Sequence, residues 1–183
     1  IVGARSGPIQ LLLYSVFHIG NATNNVTWES VEDIKKMKDV EWVVPISLGD
    51  SHQGYRVVGT DPTFFQHYKY GRDVSLSFSQ GQPFSNLFDA VIGHEVAKSL
   101  GYKVNDPIIV AHGLASFSKH KDKPFRISGI LAPTGTPIDK SVMVGLRAIT
   151  AIHINWNGAA ASSGPKIDNN TLESMALTPK SVT

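Results

Sequence analysis

The sequence predicts an α+β fold, because helix and strand patterns occur together without the regular alternation of a doubly wound sheet. Apolar residues repeat at helical spacing from Ile9 to Phe17, so a helix at residues 9–19 has one apolar face. Residues 125–131 are typical of a strand. At 183 residues, the chain is long enough for one domain with a substantial core, built as one or two lobes.

Capping residues support the predicted helices. Pro8 suits the first turn of the N-terminal helix, and Thr27 can cap a second helix at residues 28–37. Gly101 stands at the C-cap position of a helix at residues 94–100. Two further helices are expected at residues 62–68 and 146–153.

Strands are expected between these helices. A nearly continuous apolar run predicts a strand at residues 41–48, and residues 55–59 form the returning strand of a hairpin. The other expected strands are 74–78 (at a sheet edge), 90–92, 108–111, 125–131 and 142–144. Residues 157–165 are rich in Gly, Ala and Ser and predict a flexible loop.

The tip of the predicted hairpin is polar. Asp50, His52 and Gln53 lie on what the sequence indicates is a projecting loop, and loops often carry contacts to partners. These three residues are therefore candidate partner contacts. The alternative is an ordinary solvated turn.

Composition excludes several kinds of site. The net charge is +2 and the basic residues are scattered, so nothing indicates a nucleic-acid partner. Charged residues make up 17% of the chain, below the typical quarter, which suggests a surface rich in uncharged polar side chains. The chain has no cysteine, which excludes a disulfide framework, a thiolate metal site and a cysteine nucleophile.

The usual catalytic motifs are missing. His94-Glu95 begins a zinc-hydrolase pattern, but Lys98 stands where the second histidine is needed. The sequence contains neither a Gly-x-Ser-x-Gly elbow nor a Walker A or Gly-x-Gly-x-x-Gly phosphate loop. We therefore predict no catalytic residue, no metal ligand, no cofactor and no enzyme activity. A Ser-His-Asp triad assembled from distant residues, as in a small hydrolase, is the alternative.

Three ordered blocks of sequence resemble a known family. They are VVGTDP followed by FF at residues 57–65, VIG with VA, LG and ND at 91–106, and FRISGIL with TGTPID at 125–139. In this order they resemble the periplasmic core domain of MacB/FtsX-like ABC-transporter permeases, over roughly residues 1–156. Asn105 departs from the glycine that such proteins often carry before the aspartate.

The resemblance implies a two-lobed arrangement. Residues 1–60 and 125–183 would form a porter-like base that contains a βαβ unit, and residues 61–124 an inserted, β-rich, sabre-like lobe. Residues 1–20 would be a stalk helix that continues a first membrane helix. A second membrane helix would follow residue 183.

The resemblance also implies a function. The domain would face the periplasm from the bacterial inner membrane and transmit ATP-driven motion to substrate export or lipoprotein handling. Its implied partners are a separate ATP-binding subunit or domain, a second permease copy and a periplasmic adaptor protein. A periplasmic ligand-binding or sensory domain for a peptide or lipid is the alternative, and a large apolar cleft would favour it.

Overall fold

In the computed structural model of the chain, the structure describes residues 1–20, 24–112, 123–154, 156–157, 160–161 and 167–182. Most of the loop that the sequence predicts at residues 157–165 lies outside these ranges. The same is true of the end of the segment proposed as an inserted lobe, because residues 113–122 are not described.

Helices and strands alternate irregularly along the described chain. The helices are α1 (Pro8–Ser15), α2 (Trp28–Lys35), α3 (Thr63–His67), α4 (His94–Leu100), α5 (Leu146–His153) and α6 (Asn169–Ser174), with a 3₁₀ helix at Pro137–Lys140. The first strands are β1 (Val26–Thr27), β2 (Ser47–His52), β3 (Tyr55–Thr60), β4 (Lys69–Tyr70), β5 (Val74–Ser75), β6 (Phe78–Gly81) and β7 (Asp89–Ile92). The later strands are β8 (Pro107–Ile108), β9 (Ala111–His112), β10 (Phe125–Leu131), β11 (Ser141–Gly145), β12 (Trp156–Asn157), β13 (Ala160–Ala161) and β14 (Ser181–Val182).

One mixed sheet organises the described chain. Its strand order is β6-β10-β7-β11-β3-β2-β9, and β8 pairs with the edge of β10 beside β6. The pairs β10–β7 and β11–β3 are parallel, whereas the other neighbours are antiparallel. β7 and β10 are parallel neighbours and α4 follows β7, so the three form a βαβ unit, whose first two elements come from the segment predicted as the insertion and not from the predicted base. The mixed sheet, with helices on both sides, confirms the α+β class.

The strand order shows how the segment proposed as an inserted lobe is placed. Within residues 61–124, β4 and β5 form a separate two-stranded sheet, whereas β7 lies in the middle of the main sheet between β10 and β11. Edge strands β6, β8 and β9 come from the same segment. The base and the proposed insertion therefore share one sheet, and a two-lobed division of the chain stays a prediction.

The central strands are buried on both faces. Side chains alternate along a strand, so Val142 and Val144 of β11 face one core while Met143 faces the other. α4 and α5 cover the first face through Val96 and Ile152. The second face is covered by side chains from α1, α3 and the 3₁₀ helix, namely Tyr14, Phe64, Phe65 and Ile138.

Two of the predicted helix caps and two of the predicted elements are confirmed. The Thr27 hydroxyl accepts a hydrogen bond from the Ser30 N–H at 3.3 Å and so caps α2. Gly101 takes φ +70° directly after α4, a left-handed conformation that favours glycine. Strand β10 and helix α5 coincide with the predicted residues 125–131 and 146–153.

The strand predicted at residues 41–48 is wrong for most of its length. Residues 41–46 have no regular secondary structure, and β2 begins at Ser47. Pro45 explains the difference, because a proline has no N–H to donate within a strand ladder. Its carbonyl accepts a hydrogen bond from the Thr60 hydroxyl at 2.8 Å.

The strand predicted at residues 108–111 is divided between two sheet edges. β8 pairs with β10, and β9 pairs with β2 at the far end of the strand order. A local apolar pattern does not reveal this division, because residues 108–111 form one uninterrupted apolar run and strand partners are not encoded in such a run.

Gly93 is a tightly packed point of the fold, and we expect Gly93→Ala to destabilise the protein by about 2 kcal/mol or more. A Cβ at this position would lie 2.2 Å from the carbonyl oxygen of Ile138 and 2.4 Å from that of Asp139. These are backbone atoms, so the 3₁₀ helix would have to move. Urea denaturation of the purified chain measures the change.

Gly49→Ala is the matched control, because a Cβ there meets nothing within 4 Å. Its free energy of unfolding should stay within about 1 kcal/mol of the parent value. Equal stability of the two variants would contradict the close packing of α4 against the 3₁₀ helix.

Candidate functional site: the junction of the N-terminal helix with the sheet

Helix α1 is held against the sheet by a few polar side chains. Tyr14 and His18 are spaced four residues apart and are both buried, with 7% and 8% of their surfaces exposed. The helix predicted at residues 9–19 is shorter in the structure, because α1 ends at Ser15 and His18 has φ +55°. A residue in the left-handed conformation cannot continue a right-handed helix, so the chain turns away from the helix axis at His18, where it meets the sheet.

The first polar contact joins α1 to β2. The Tyr14 hydroxyl donates a hydrogen bond to the carbonyl oxygen of Leu48, and both residues belong to the same apolar core. A buried tyrosine needs such a partner for its hydroxyl, so the bond orients α1 as well as filling the core.

The second and third contacts join the segment after α1 to β11 and β3. His18 Nδ1 lies 3.1 Å from the Ser141 hydroxyl oxygen, and Arg56 donates to the carbonyl oxygen of Gly20. Ser141 and Arg56 are register partners at the beginning of these parallel strands. The N-terminal segment therefore contacts three neighbouring strands, β11, β3 and β2. We call the polar side chains of these contacts the junction residues: Tyr14, His18, Arg56 and Ser141.

His18 is uncharged in this environment. The Ser141 hydroxyl donates to the carbonyl oxygen of Pro137 at 2.9 Å, so its oxygen accepts from His18, and we assign the proton to Nδ1. Burial lowers the pKa of His18 to about 4, with a further contribution from the positive charge of Arg56.

The apolar face of α1 is exposed in the described structure. Ile9 is 74% exposed, Leu12 is 46% exposed and Leu13 is 38% exposed. Single exposed apolar residues are common, but these lie together on the side of the helix that is not bound to the sheet. The junction therefore presents one side of α1 to the sheet and leaves the other uncovered by the described residues.

The predicted partner contacts lie elsewhere, and two of them are not on a projecting tip. Asp50 and His52 belong to β2, which pairs with β9, and they are only 5% and 4% exposed. Only Gln53 and Gly54 form the exposed turn. Burial corrects the interpretation of Asp50 and His52 as loop residues, whereas contact of Gln53 with a partner stays a prediction.

Asp50 and His52 instead take part in a buried polar cluster at this edge of the sheet. His52 Nδ1 lies 2.8 Å from the carbonyl oxygen of Ile109, and its Nε2 lies 3.0 Å from the Tyr102 hydroxyl. Asp50 Oδ1 is 3.9 Å from Nε2 of His153. These contacts tie β2 to the segment after α4, to the residues between β8 and β9 and to α5, which is a structural role.

Local sequence signals did not identify the junction residues as a group. His18 and Ser141 are 123 positions apart, and neither belongs to a recognisable motif. The one available signal is that Tyr14 and His18 share a helical face opposite the apolar one. Among the described residues, no group of three or more His, Cys, Asp or Glu side chains is placed to hold a metal ion.

Comparison with known proteins shows which family the chain belongs to. The sequence profile of the MacB-like periplasmic core domain matches residues 4–178. The chain belongs to this family. It is thus a periplasmic core domain of a MacB-like ABC-transporter permease, an extracytoplasmic part of a membrane protein, and the resemblance drawn from the three sequence blocks is confirmed. Domains of this family are generally not catalytic.

Solved structures similar to this MacB-like domain come from other bacterial transport proteins. The first is the extracellular domain of the noncanonical ABC-type transporter YknZ from Gram-positive bacteria, with 16% identity, a TM-score of 0.45 and coverage of 68% of this chain and 64% of that chain. The second is the periplasmic region of MacB from Actinobacillus actinomycetemcomitans, with 13% identity, a TM-score of 0.46 and coverage of 73% and 59%.

A third structure is a domain of a permease protein from Porphyromonas gingivalis, with 13% identity, a TM-score of 0.43 and coverage of 79% of this chain and 60% of that chain. The match with this MacB-like domain therefore spans less than two thirds of each of the three structures. No curated protein matches the sequence. In the described part of the chain, no helix has the length and apolarity needed to cross a bilayer.

The buried, uncharged state of His18 predicts a loss of stability on acidification. Its pKa is about 4 in the folded protein and near 6.5 when unfolded, so the unfolded state takes up the proton first. The full stabilisation is present above pH 6.5 and is lost as the pH falls from 6.5 towards 4. The free energy of unfolding falls by at most about 3 kcal/mol through this protonation, and about 2 kcal/mol of this is lost by pH 5.

Urea denaturation of the parent chain and of His18→Gln at pH 7.5 and pH 5 measures this contribution. The variant should be less stable at pH 7.5 and should lose less stability between the two pH values. Ser99→Ala, which removes an exposed, non-titrating hydroxyl on α4, is the control and should keep the parent pH dependence. An equal pH dependence in parent and His18→Gln would contradict a buried neutral His18.

Proposed function

We propose that this MacB-like domain transmits ATP-driven motion from the bacterial inner membrane to substrate export or lipoprotein handling in the periplasm. The domain supplies no cofactor and no catalytic group in this proposal. ATP is hydrolysed by a separate ATP-binding subunit or domain, and movement reaches the sheet through the N-terminal segment that carries α1. The predicted stalk helix over residues 1–20 is limited to Pro8–Ser15, because residues 1–7 are not helical.

One observation carries the proposal: the N-terminal segment is bound to three neighbouring strands of the main sheet. The Tyr14, His18 and Arg56 contacts each involve a different strand, and each joins a side chain to a group far away in sequence. A displacement of α1 therefore acts on β2, β3 and β11 together. Apolar contacts are not directional, so a segment attached to the surface by these contacts alone could slide along the sheet without displacing its strands.

Further partners belong to the same proposal. A second permease copy pairs with the first in the membrane, so that two such domains face each other outside it. Their movement pushes substrate outward or changes the contact with a periplasmic adaptor protein. The exposed residue Gln53 is the remaining candidate among the adaptor contacts predicted from the sequence.

The proposal predicts that the junction residues couple nucleotide state to domain position. The full-length permease with its ATP-binding subunit is reconstituted in nanodiscs and spin-labelled at Arg72→Cys, an exposed turn position in a domain without cysteine. Electron–electron double resonance measures the distance between the labels of two copies with and without ATP. We expect ATP to change this distance, and the double variant Tyr14→Phe/Arg56→Gln to reduce the change by at least half.

Ser99→Ala is the control, because the Ser99 hydroxyl is exposed on α4 and contacts only Glu95 of the same helix among the hydrogen bonds described. It should keep the full ATP-dependent change. Thermal unfolding of each variant separates uncoupling from misfolding. The proposal is wrong if the folded junction variant moves as far as the parent.

A further inference from the structure

A cleft opens at the end of β3 and β11 that lies opposite the junction. Thr60 and Gly145, the last residues of these parallel strands, both line it. Its volume is about 460 Å³, which lies within the range of about 300–1,000 Å³ that is usual for small-molecule sites. Crevices beside the carboxyl ends of parallel strands are frequent ligand sites in other folds, because loops and helix starts converge there.

The walls of this cleft are mainly apolar. Phe84 and Leu146 are buried side chains, and Trp28, Leu87 and Leu177 complete the walls. They come from α2, α5 and two connecting segments, so the cleft depends on packing between parts of the chain that are distant in sequence. Such a lining favours an occupant with an apolar body.

Two cations stand at the rim. The Lys35 ammonium lies 4.9 Å from the centroid of the Trp28 ring and 2.9 Å from Glu32 Oε1. Arg147 donates from Nη2 to the carbonyl oxygen of Met175 at 2.9 Å, which uses one of the five N–H donors of its guanidinium. Both interactions hold the cation beside the cleft.

Among the described residues that line the cleft, only Asp61 carries a carboxylate, and this group is engaged locally. Asp61 Oδ1 accepts hydrogen bonds from the backbone N–H and the hydroxyl of Thr63 at the start of α3. The cleft thus combines apolar walls, the Arg147 guanidinium, the Lys35 ammonium paired with Glu32, and a carboxylate that serves a turn. This combination favours an occupant with a negative charge.

We propose that the cleft binds an amphipathic carboxylate, with its apolar chain between Trp28 and Leu177 and its carboxylate bound by Arg147 with support from Lys35. The planar guanidinium matches the two oxygens of a carboxylate in bidentate geometry. This inference takes up the ligand-binding alternative that the sequence left open. Ligand binding in the cleft does not require that the junction transmit motion. An experiment can therefore contradict one of the two proposals and leave the other intact.

The same chemistry has two sources, a fatty acid and the free carboxyl terminus of an apolar peptide. Isothermal titration of the 183-residue chain uses one matched pair of probes for each source. Octanoate is compared with 1-octanol, and N-acetyl-Leu-Leu with a free carboxylate is compared with its amide. Binding of either carboxylate, at least threefold tighter than its neutral partner, supports the proposal and identifies the source. Absence of binding by both carboxylates, or equal affinity within both pairs, overturns it.

Two variants locate the site. Arg147→Gln removes a rim charge and should weaken carboxylate binding by about threefold or more, whereas Arg72→Gln, on an exposed turn, should leave it unchanged. Gly145→Leu tests the cavity without changing charge. Gly145 has φ −65°, which any residue adopts, and a Cβ there meets only the Phe84 ring at 4.0 Å.

The leucine side chain should therefore fill the cleft and reduce the affinity at least tenfold while the fold is kept. Gly49→Leu, at an exposed glycine with open space around it, is the matched control. Circular dichroism confirms that each variant is folded. Unchanged affinity in a folded Gly145→Leu protein overturns the assignment to this cleft.

Discussion

β3 and β11 run side by side in the same direction, with Ser141 opposite Arg56 at one end and Gly145 opposite Thr60 at the other. Every other feature of interest depends on this pairing. At the beginning of the two strands, Ser141 and Arg56 hold the segment after α1. At their ends, Thr60 and Gly145 form part of the cleft. A shift of one residue in the register would turn the side chains of β11 to the opposite faces and remove both arrangements.

The polar contacts of the junction suit a part that must move as a unit with the sheet. A hydrogen bond between a buried donor and acceptor contributes only about 1 kcal/mol net, but leaving one partner unsatisfied costs more. Tyr14 and His18 therefore contribute to the position of the N-terminal segment as well as to stability. The exposed apolar face of α1 contributes no such directional contacts within the described structure.

Several elements were predictable from local sequence because their signals are local. Thr27 caps α2, Gly101 ends α4, and the apolar patterns of β10 and α5 coincide with the observed elements. The failures have two kinds of cause. Pro45 interrupts the strand predicted at residues 41–48, whereas tertiary packing places Asp50 and His52, which look like loop residues by composition, in the buried strand β2 beside β9.

The sequence by itself determined the α+β class, the main helices and the membership of the MacB-like family, since caps, periodicity and ordered motif blocks are properties of short segments. Only the tertiary structure decided the place of β7 in the centre of the sheet, the contact of His18 with Ser141 and the cleft beside Arg147. These features join residues from distant segments, and no short segment contains the information about which strands will pair. The physical reason is that strand pairing is a choice among partners of similar apolar character, made by the packing of the whole core.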